Sequence, residues 1–356
     1  MNDSVIVTGG AGFIGSCFIR QLLQQLPRSL IVNLDKLTYA STTTSVPQVP
    51  AERYRLVEGD IGDVALVSHL LEKHQPRWVV NFAAESHVDR SIDHPDPFVM
   101  TNVVGTFRLL DSTLLWWQKL PRDRQQAFRL LHVSTDEVYG SLGASGLFRE
   151  DTAYAPNSPY SASKAAADHF VRAYHSTYGL PVLTLLSSNN YGPYQFPEKL
   201  IPLVTLNALS GKPLRVYGTG NNIRDWLYVE DNCRALQRVL EAGEVGQVYH
   251  VGGDSQRTNL EVVQTICDTL DEILGVPPAG SRRGLIEFVS DRPGHDWRYA
   301  IDCSRIKQQL GWSAHRTFET GLRDTLQWYL ANPQWVEQAR RGQYVSQRLG
   351  TGREIS

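Results

Sequence analysis

The sequence TGGAGFIG, residues 8–15, decides the fold. It follows a short apolar run at residues 5–7 and opens a stretch with helical periodicity. Gly9, Gly12 and Gly15 allow a tight turn, close approach of the backbone to a pyrophosphate, and close packing of a helix whose first N–H groups can hold an anion. A glycine-rich turn alone is more often only structural. A strand before it and a helix after it favour a dinucleotide site.

The chain continues to alternate short apolar, β-rich runs with amphipathic stretches, as is typical of a parallel sheet with crossover helices. We therefore predict a Rossmann-type, doubly wound α/β fold. The predicted strands lie near residues 5–7, 30–32, 54–57, 78–80, 129–134 and 182–186. The predicted helices include residues 15–26, 64–73, 99–118 and 160–178.

After Asn190 the pattern changes, because Gly-Pro and other glycine-containing turns separate shorter elements. This change predicts a smaller C-terminal α/β lobe that binds substrate. The predicted domains are a dinucleotide-binding domain at 1–190 with a returning segment near 228–255, a second lobe at 191–227 and 256–345, and a surface tail at 346–356.

Composition limits the kind of partner. The 356 residues include 35 Lys and Arg against 37 Asp and Glu, which gives no general attraction to nucleic acid or to a membrane surface. The four cysteines lie far apart without a CxxC pair, so we expect reduced thiols and a cytoplasmic location. The N-terminus shows no signal-type segment, and no membrane attachment is expected. We expect a small-molecule ligand.

Carboxylates beyond the glycine turn bear on which dinucleotide is bound. Asp35 ends the second predicted strand, where an acidic side chain can bind the adenosine ribose hydroxyls and repel a 2′-phosphate. This favours NAD, while the adjacent Lys36 keeps NADP as the alternative. Asp60 and Ile61 follow the third strand and could contact the adenine edge, or Asp60 could cap the next helix instead.

Tyr160 and Lys164 form a Tyr-x-x-x-Lys pair on a predicted helix, so both side chains share one face. A nearby ammonium favours the phenolate, and we predict that Lys164 lowers the pKa of Tyr160 so that the phenol can act as a base. Such pairs are common on helix surfaces. Here a dinucleotide motif and a strand ending in Ser134 and Thr135 precede the pair, which favours a catalytic role.

These features resemble the extended short-chain dehydrogenase/reductase family, in which a Thr or Ser, a Tyr and a Lys activate a sugar hydroxyl for hydride transfer. The matching positions are Thr135, Tyr160 and Lys164. Longer runs are similar to those of the dTDP-glucose 4,6-dehydratase family: AAESHVDRS at residues 83–91, STDEVYG at 134–140 and DRPGHD at 291–296. Runs of this length are far more specific than a glycine pattern.

The resemblance implies a role for two adjacent acids, Asp136 and Glu137. By themselves they could simply cap the following turn. Oxidation at C4 of a glucose ring acidifies the C5 proton, so an acid at the C6 hydroxyl and a base at C5 can remove water. By the resemblance Asp136 is the acid, Glu137 is the base, and the product is a 4-keto-6-deoxy sugar with NAD regenerated. Asp136 must then be protonated while Glu137 is ionised.

The motifs and the resemblance together give two sets of expected contacts. Expected cofactor contacts are Gly9, Gly12, Phe13, Ile14, Gly15, Asp35, Lys36, Thr38, Asp60, Ile61, Ala83, Ala84, Ser86, Thr101, Tyr160, Lys164 and Asn190. Expected substrate contacts are Ser86, His87, Thr135, Asn189, Lys199, Leu200, Arg215, Tyr217, Arg224, Asn259, Asp291 and His295. Arg224 is the most persuasive, because a guanidinium pairs with phosphate through two parallel hydrogen bonds. No metal is expected, since His87 and His295 lack a second ligand at metal spacing.

The resemblance further implies a homodimer, in which helices near residues 99–118 and 160–178 form a four-helix bundle between subunits. One stretch departs from the family. After residues 35–40 the family usually continues with Gly-Asn, whereas Ser41 and three threonines follow here. This departure affects the local adenosine contacts and not the chemistry.

We predict an NAD-dependent lyase that acts on dTDP-glucose in deoxysugar biosynthesis. The alternatives are the same reaction on UDP-glucose or another nucleotide sugar, and a 4-epimerase or decarboxylase of the same fold. Those last enzymes would not need Asp136 and Glu137 together. A non-catalytic NAD sensor would have lost the Tyr, Lys or acid positions, and a nucleic-acid binder would show a basic stripe.

Overall fold

The computed structural model describes residues 4–341. The strands are β1 (Ser4–Thr8), β2 (Leu30–Asp35), β3 (Tyr54–Glu58), β4 (Trp78–Asn81), β5 (Arg129–Thr135), β6 (Val182–Ser187), β7 (Asn189–Tyr191), β8 (Leu214–Tyr217), β9 (Ile223–Tyr228), β10 (Val248–Val251), β11 (Gln256–Thr258) and β12 (Ile286–Val289). The predicted tail at 346–356 lies outside the described residues.

The α-helices are α1 (Phe13–Gln25), α2 (Val64–His74), α3 (Val88–Asp93), α4 (Asp96–Phe98), α5 (Thr106–Trp117), α6 (Arg122–Ala127), α7 (Pro159–Tyr178), α8 (Leu200–Leu209), α9 (Val229–Ala242), α10 (Asn259–Leu274), α11 (Ser304–Leu310), α12 (Phe318–Ala331) and α13 (Pro333–Arg341). A π-helical segment, Val99–Gly105, joins α4 to α5. Single 3₁₀ turns are formed by Thr43–Ser45, Asp136–Tyr139 and Arg282–Leu285.

Seven of the strands form one parallel sheet in the order β10-β6-β5-β4-β1-β2-β3. The order reverses beside β1, which is the arrangement that places a ligand at the carboxyl ends of the strands. The prediction of a Rossmann-type fold is confirmed, and each predicted strand overlaps an observed one. The predicted helices also overlap observed ones, except that 99–118 divides into the π-helical segment and α5. Smaller sheets follow in the order β11-β9-β7 and β12-β8.

Apolar residues cover both faces of the main sheet. Side chains alternate along β1, so that Val5 and Val7 pack with α1 and α9 while Ile6 packs with α2 and α5 on the other face. All three are at most 3% exposed. A strand buried on both faces reads as a continuous apolar run, which explains why these short segments are visible in the sequence.

Strand β10 joins the main sheet beside β6, although the chain first passes through the elements of the smaller lobe. Helix α9 packs on α1, and Leu236 and Val239 of α9 belong to the same buried cluster as Phe18 of α1. The chain therefore returns to the main sheet after β9. The residue bounds of the two lobes stay a prediction.

The glycine turn between β1 and α1 could not be built from larger residues. Gly9 has a φ of +68°, and a Cβ there would lie 2.6 Å from the Ala83 nitrogen. A Cβ on Gly15 would lie 2.4 Å from the Gly9 carbonyl oxygen. Helix α1 begins after Gly12 with no side-chain cap and no acidic residue in its first turn, which leaves its first N–H groups available to an anion.

All four cysteines are buried and unbridged. Across residues 4–341, no helix combines the length and the apolar character needed to cross a membrane.

Candidate active site

Two cavities meet at the carboxyl ends of the main sheet. The first, of about 310 Å³, contains the glycine turn, and the second, of about 420 Å³, lies between the main sheet and the smaller lobe. The residues that line both cavities are Ser86, Glu137, Asn189, Glu198 and Lys199. Two ligands, one in each cavity, would therefore meet beside Glu137.

The first cavity collects most of the predicted cofactor residues. Its lining includes Gly9, Gly12, Phe13, Ile14, Gly15, Asp35, Lys36, Thr38, Ala83, Ala84, Ser86, Thr101, Tyr160, Lys164 and Asn190. Thr101 reaches the cavity from the π-helical segment, a distortion that is frequent at functional sites.

Asp35 is held beside the glycine turn by three hydrogen bonds. Its Oδ2 accepts from the Ala11 N–H at 2.8 Å, and its Oδ1 accepts from the Leu37 N–H at 2.8 Å and from the Ser41 hydroxyl at 3.0 Å. Ser41 also lines the cavity. The sequence departure at Ser41 therefore falls inside the candidate cofactor site, as the sequence predicted, and adds a hydroxyl next to this carboxylate.

Asp60 and Ile61 were predicted to contact the cofactor, but the structure places both outside the first cavity. The Lys36 ammonium lies 2.8 Å from Asp60 Oδ2, and Asp60 Oδ1 accepts a hydrogen bond from the Gly62 N–H at 2.7 Å. Ile61 is 3% exposed and packs in the core. The alternative role of Asp60 as a helix cap is wrong, because Asp63 caps α2. The cofactor contacts of Asp60 and Ile61 stay a prediction.

The candidate catalytic residues are brought together where β5 ends. The Thr135 hydroxyl accepts from the Glu137 N–H at 3.3 Å and lies 3.4 Å from Asp136 Oδ1, so the 3₁₀ turn is fixed at the strand end. Tyr160 lines the same cavity as Thr135, and the Thr135 side chain acts to lower the pKa of the Tyr160 phenol, against the effect of burial. Thr135, Asp136, Glu137 and Tyr160 thus form one cluster at the edge of the sheet.

Tyr160 and Lys164 reach the cluster from the first two turns of α7, which begins with a capping box at Ser158. Burial and the charge of Glu137 raise the pKa of Tyr160. The Lys164 ammonium donates to the Val133 carbonyl at 2.7 Å, and burial lowers its pKa to about 8. The predicted lowering of the Tyr160 pKa is therefore not found, because burial of the phenol outweighs an ammonium that is directed to a carbonyl.

The two adjacent acids have different surroundings. Asp136 is 1% exposed, and its Oδ2 has no hydrogen-bond partner among the residues that the structure describes. Burial and the charge of Glu137 raise the pKa of Asp136 well above its usual range. Burial also raises the pKa of Glu137, but Arg292, Arg224 and Lys199 oppose that rise. The Glu137 charge therefore favours protonation of Asp136, whereas the three cations favour the ionised form of Glu137 against the effect of burial.

The second cavity collects most of the predicted substrate residues. Its lining includes Ser86, His87, Asn189, Lys199, Leu200, Arg215, Tyr217, Arg224, Asn259 and His295. Thr135 lines the first cavity instead. Asp291 is not part of either lining: its Oδ1 lies 2.6 Å from His295 Nδ1 and orients an imidazole that does line the cavity.

Burial lowers the pKa of His295 to about 4 and that of His87 to about 2, so both imidazoles are neutral. His87 Nδ1 accepts from the Arg90 N–H at 3.4 Å, and its Nε2 lies 3.8 Å from Glu198. Both histidines thus take hydrogen-bonding positions in the wall of the second cavity.

Arg224 lines the second cavity, but two of its nitrogens are already engaged. Nη1 donates to the Ile223 carbonyl at 2.8 Å and Nη2 donates to the Asp296 carbonyl at 2.9 Å. The guanidinium also lies over the Tyr299 ring, 4.2 Å from its centroid. Pairing with phosphate through two parallel hydrogen bonds, as predicted, would have to compete with these contacts.

Sequence reasoning missed Glu198, Arg292 and Tyr299, which all line the second cavity. Glu198 also lines the first cavity and accepts from the Tyr39 hydroxyl at 3.1 Å. It directly precedes Lys199, and Arg292 lies within the last run that carries the resemblance, so both have a signal in the sequence. Tyr299 has none, because only the fold brings it under a guanidinium.

The sheet order, the glycine turn and the Tyr-Lys pair define an extended short-chain dehydrogenase/reductase. The family model GDP-mannose 4,6 dehydratase matches residues 6–325. A dTDP-glucose 4,6-dehydratase of Xanthomonas campestris pv. campestris (strain B100) is 56% identical over 346 residues, which cover 97% of this chain and 98% of that relative. The chain belongs to the family of dTDP-glucose 4,6-dehydratases.

Other relatives agree. A dTDP-glucose 4,6-dehydratase of Neisseria meningitidis serogroup B is 52% identical over 98% of this chain and 99% of its own length. The crystal structure of the Bacillus anthracis dTDP-glucose 4,6-dehydratase in complex with NAD has a TM-score of 0.84 at 44% identity, covering 95% of this chain and 99% of that one. The Streptomyces venezuelae enzyme, solved with NAD and TYD bound, has a TM-score of 0.86 at 43% identity, covering 94% and 99%.

Proposed function

We propose that the protein removes water from dTDP-glucose in an NAD-dependent hydro-lyase reaction that gives dTDP-4-keto-6-deoxyglucose, a step of deoxysugar biosynthesis. The main support is the pair Asp136 and Glu137 at the junction of the two cavities. Their surroundings favour protonation of Asp136 over protonation of Glu137. An epimerase of the same fold would not need this pair. Membership of the family supports the choice of substrate.

The first cavity fits NAD. The turn at Gly9 and Gly15 is too tight for a Cβ, and without side chains its backbone can approach a pyrophosphate closely. The first N–H groups of α1 can bind that pyrophosphate. Asp35 offers a carboxylate to ribose hydroxyls and would repel a 2′-phosphate. NAD bound in this cavity would supply a hydride acceptor for C4 of the sugar and a hydride donor for C6.

In the first step, Tyr160 takes the proton of the C4 hydroxyl as C4 is oxidised to a ketone. Thr135 lies in the same cavity and acts to lower the pKa of the phenol. Lys164 lies one helical turn along α7 on the same face. Because burial raises the pKa of Tyr160, the phenolate that accepts this proton is a strong base.

In the second step, Glu137 removes the proton from C5, which the C4 ketone has acidified, and Asp136 protonates the C6 hydroxyl as it leaves as water. Glu137 exchanges this proton with solvent and then delivers one to C5 of the reduced sugar, which restores its charge. Tyr160 releases to solvent the proton that it took from the C4 hydroxyl, and Asp136 is reprotonated from water. The proton at C5 of the product therefore comes from solvent.

The second cavity suits a sugar nucleotide. Lys199, Arg215, Arg224 and Arg292 line it and give it a positive charge that matches a diphosphate. The sugar would lie beside Glu137, where the two cavities meet. The nucleotide would extend toward Asn259 at the start of α10.

We also propose that the protein forms a homodimer. Met100, Phe107 and Leu115 are 57%, 39% and 54% exposed and follow helical spacing along the π-helical segment and α5. The Phe107 ring lies 5.8 Å from the Phe170 ring of α7, where Tyr178 is also exposed, so the two helices present one apolar face. A second copy of the chain would bury that face. A cytoplasmic location also stays a prediction.

Incubation with dTDP-glucose or UDP-glucose in deuterated water, followed by NMR, tests the proposal. The expected product is a 4-keto-6-deoxy sugar with deuterium at C5 and with a higher kcat/KM for dTDP-glucose. Faster turnover of UDP-glucose would transfer the assignment to that substrate. C4 epimerisation, or no turnover of either sugar nucleotide, would overturn it.

A further inference from the structure

A third titratable residue lies on the face of α7 that carries Tyr160 and Lys164. Asp168 follows Lys164 by one turn, so the three side chains recur at four-residue intervals. Asp168 is 5% exposed and lines neither cavity, so it does not reach the cofactor or the sugar. A buried carboxylate requires hydrogen bonds or an opposite charge to offset its lost hydration.

Asp168 accepts hydrogen bonds and lies near an ammonium, with an imidazole between them. The Ser134 hydroxyl donates to its Oδ2 at 2.7 Å, and the Tyr154 hydroxyl donates to the same oxygen at 3.0 Å. Its Oδ1 lies 3.3 Å from Nε2 of His132. The Lys164 ammonium lies 3.3 Å from the same Nε2. The imidazole of His132 is therefore in contact with both the carboxylate and the ammonium.

The hydrogen bonds of Asn81 decide the state of His132. The Thr8 hydroxyl donates to Asn81 Oδ1 at 2.6 Å, which directs Asn81 Nδ2 to donate to His132 Nδ1 at 3.1 Å. Burial and the Lys164 charge lower the pKa of His132, so the ring is neutral. With Nδ1 as the acceptor, Nε2 carries the hydrogen and lies 3.3 Å from both Asp168 Oδ1 and the Lys164 ammonium, although Oδ1 has no hydrogen-bond partner among the described residues. The carboxylate therefore remains the counter-charge of the ammonium.

We propose that Asp168 is a positioning residue that keeps Lys164 in its ammonium form and directed to the Val133 carbonyl, with the neutral His132 ring between the two charges. Asp168 thus acts on the hydride-transfer site through Lys164 and touches neither ligand. The inference depends on the proposed function only for the position of Lys164 beside the cofactor.

The groups around Lys164 support this assignment. Tyr160, on the same helix as Lys164, and His132, on β5, are neutral. The charge of Asp168 raises the pKa of Lys164, whereas the stronger effect of burial lowers that pKa to about 8. Tyr139 and Tyr154, which face Asp168 from the loop side, have raised pKa values and stay neutral. Removing the carboxylate should move the loss of the ammonium from about pH 8 into the neutral range.

The test measures the NAD dissociation constant by calorimetry across the neutral to alkaline range, without any sugar nucleotide. Wild-type affinity should fall as the pH rises through the pKa of Lys164. In Asp168→Asn the fall should begin about 1–3 pH units lower, as expected for loss of an opposite charge at close range. Tyr154→Phe is the matched control: it removes one hydrogen bond to Asp168, keeps the charge, and should keep the wild-type pH profile.

A double-mutant cycle with Lys164→Met distinguishes a charge effect from a packing effect. Asp168→Asn should not change NAD affinity further once Lys164 is Met. Should Asp168→Asn fail to fold, Lys164→Met should restore folding, since the unpaired buried ammonium is then absent. An unshifted profile in Asp168→Asn, an equal shift in Tyr154→Phe, or no rescue of a misfolded Asp168→Asn would overturn the inference. NAD binding with the expected shift but without dehydration would overturn only the proposed function.

Discussion

Replacing Glu137 by Gln removes the proposed base and leaves a side chain of almost the same size. Within the described residues, no hydrogen bond ties the Glu137 carboxylate to a neighbour, and the side chain faces both cavities. We therefore expect the fold and the affinity for NAD to be unchanged. Loss of a general base costs a factor of about 10²–10⁴ in rate. The barrier should accordingly rise by about 3–5 kcal/mol.

The charges around Glu137 predict how the kinetic constants divide. Arg292, Arg224 and Lys199 act on the carboxylate, and its neutralisation leaves this cluster more positive toward a diphosphate. KM for dTDP-glucose should therefore stay the same or fall while kcat falls by the full factor. The pKa of Asp136 should also decrease, because the Glu137 charge is one cause of its rise.

Steady-state kinetics and NMR of the sugar in deuterated water check these expectations. Glu137→Gln should release almost no 4-keto-6-deoxy product and should introduce no deuterium at C5. Glu287→Gln is the control, because Glu287 is an exposed carboxylate on β12 outside both cavities. A kcat within a few-fold of the wild-type value, or deuterium still entering at C5, would show that another group is the base.

Further predictions follow from the same structure. Asp136→Asn should abolish dehydration yet raise Tm near neutral pH. Folding raises the pKa of the wild-type carboxyl, so the folded state loses stability as the pH rises through that pKa, and Asn has no such loss. An unchanged or lower Tm in a thermal melt would contradict this. Gly179→Ala, at positive φ but with open space for a Cβ, should lose about 1–2 kcal/mol in urea unfolding. Gly9→Ala should lose more, because its Cβ would lie 2.6 Å from the Ala83 nitrogen, and only Gly9→Ala should weaken NAD binding. Leu115→Glu should yield monomers in light scattering, whereas Val276→Glu, also exposed but on another surface, should not.

The order of strands and helices was predictable from the sequence because buried parallel strands and amphipathic helices leave periodic patterns. The direction of single side chains was not. Asp60 follows β3 as expected of an adenine contact, yet its carboxylate pairs with Lys36, a contact that depends on the spacing of β2 and β3. Asp291 lies in a highly specific run, yet it orients His295 rather than lining the cavity.

The pKa values of the site residues were also only partly predictable from the sequence. The chemistry predicts that Asp136 is the more readily protonated of the two acids, and the surroundings of Asp136 and Glu137 favour this difference. The effect of Lys164 on Tyr160 was judged from a four-residue spacing, which reports which face the residues share but not how deeply the phenol is buried. Burial reverses the direction of that pKa shift.

The position of β10 bears on how the chain folds as it is synthesised. Strand β6 ends at Ser187, but its outer neighbour β10 is complete only at Val251. At about 5–20 residues per second, a ribosome leaves the hydrogen-bonding edge of β6 unpaired for several seconds. During that time the nascent chain carries an open, apolar edge strand of the kind that pairs with other chains. Chaperone demand should therefore be greatest while the smaller lobe is being translated.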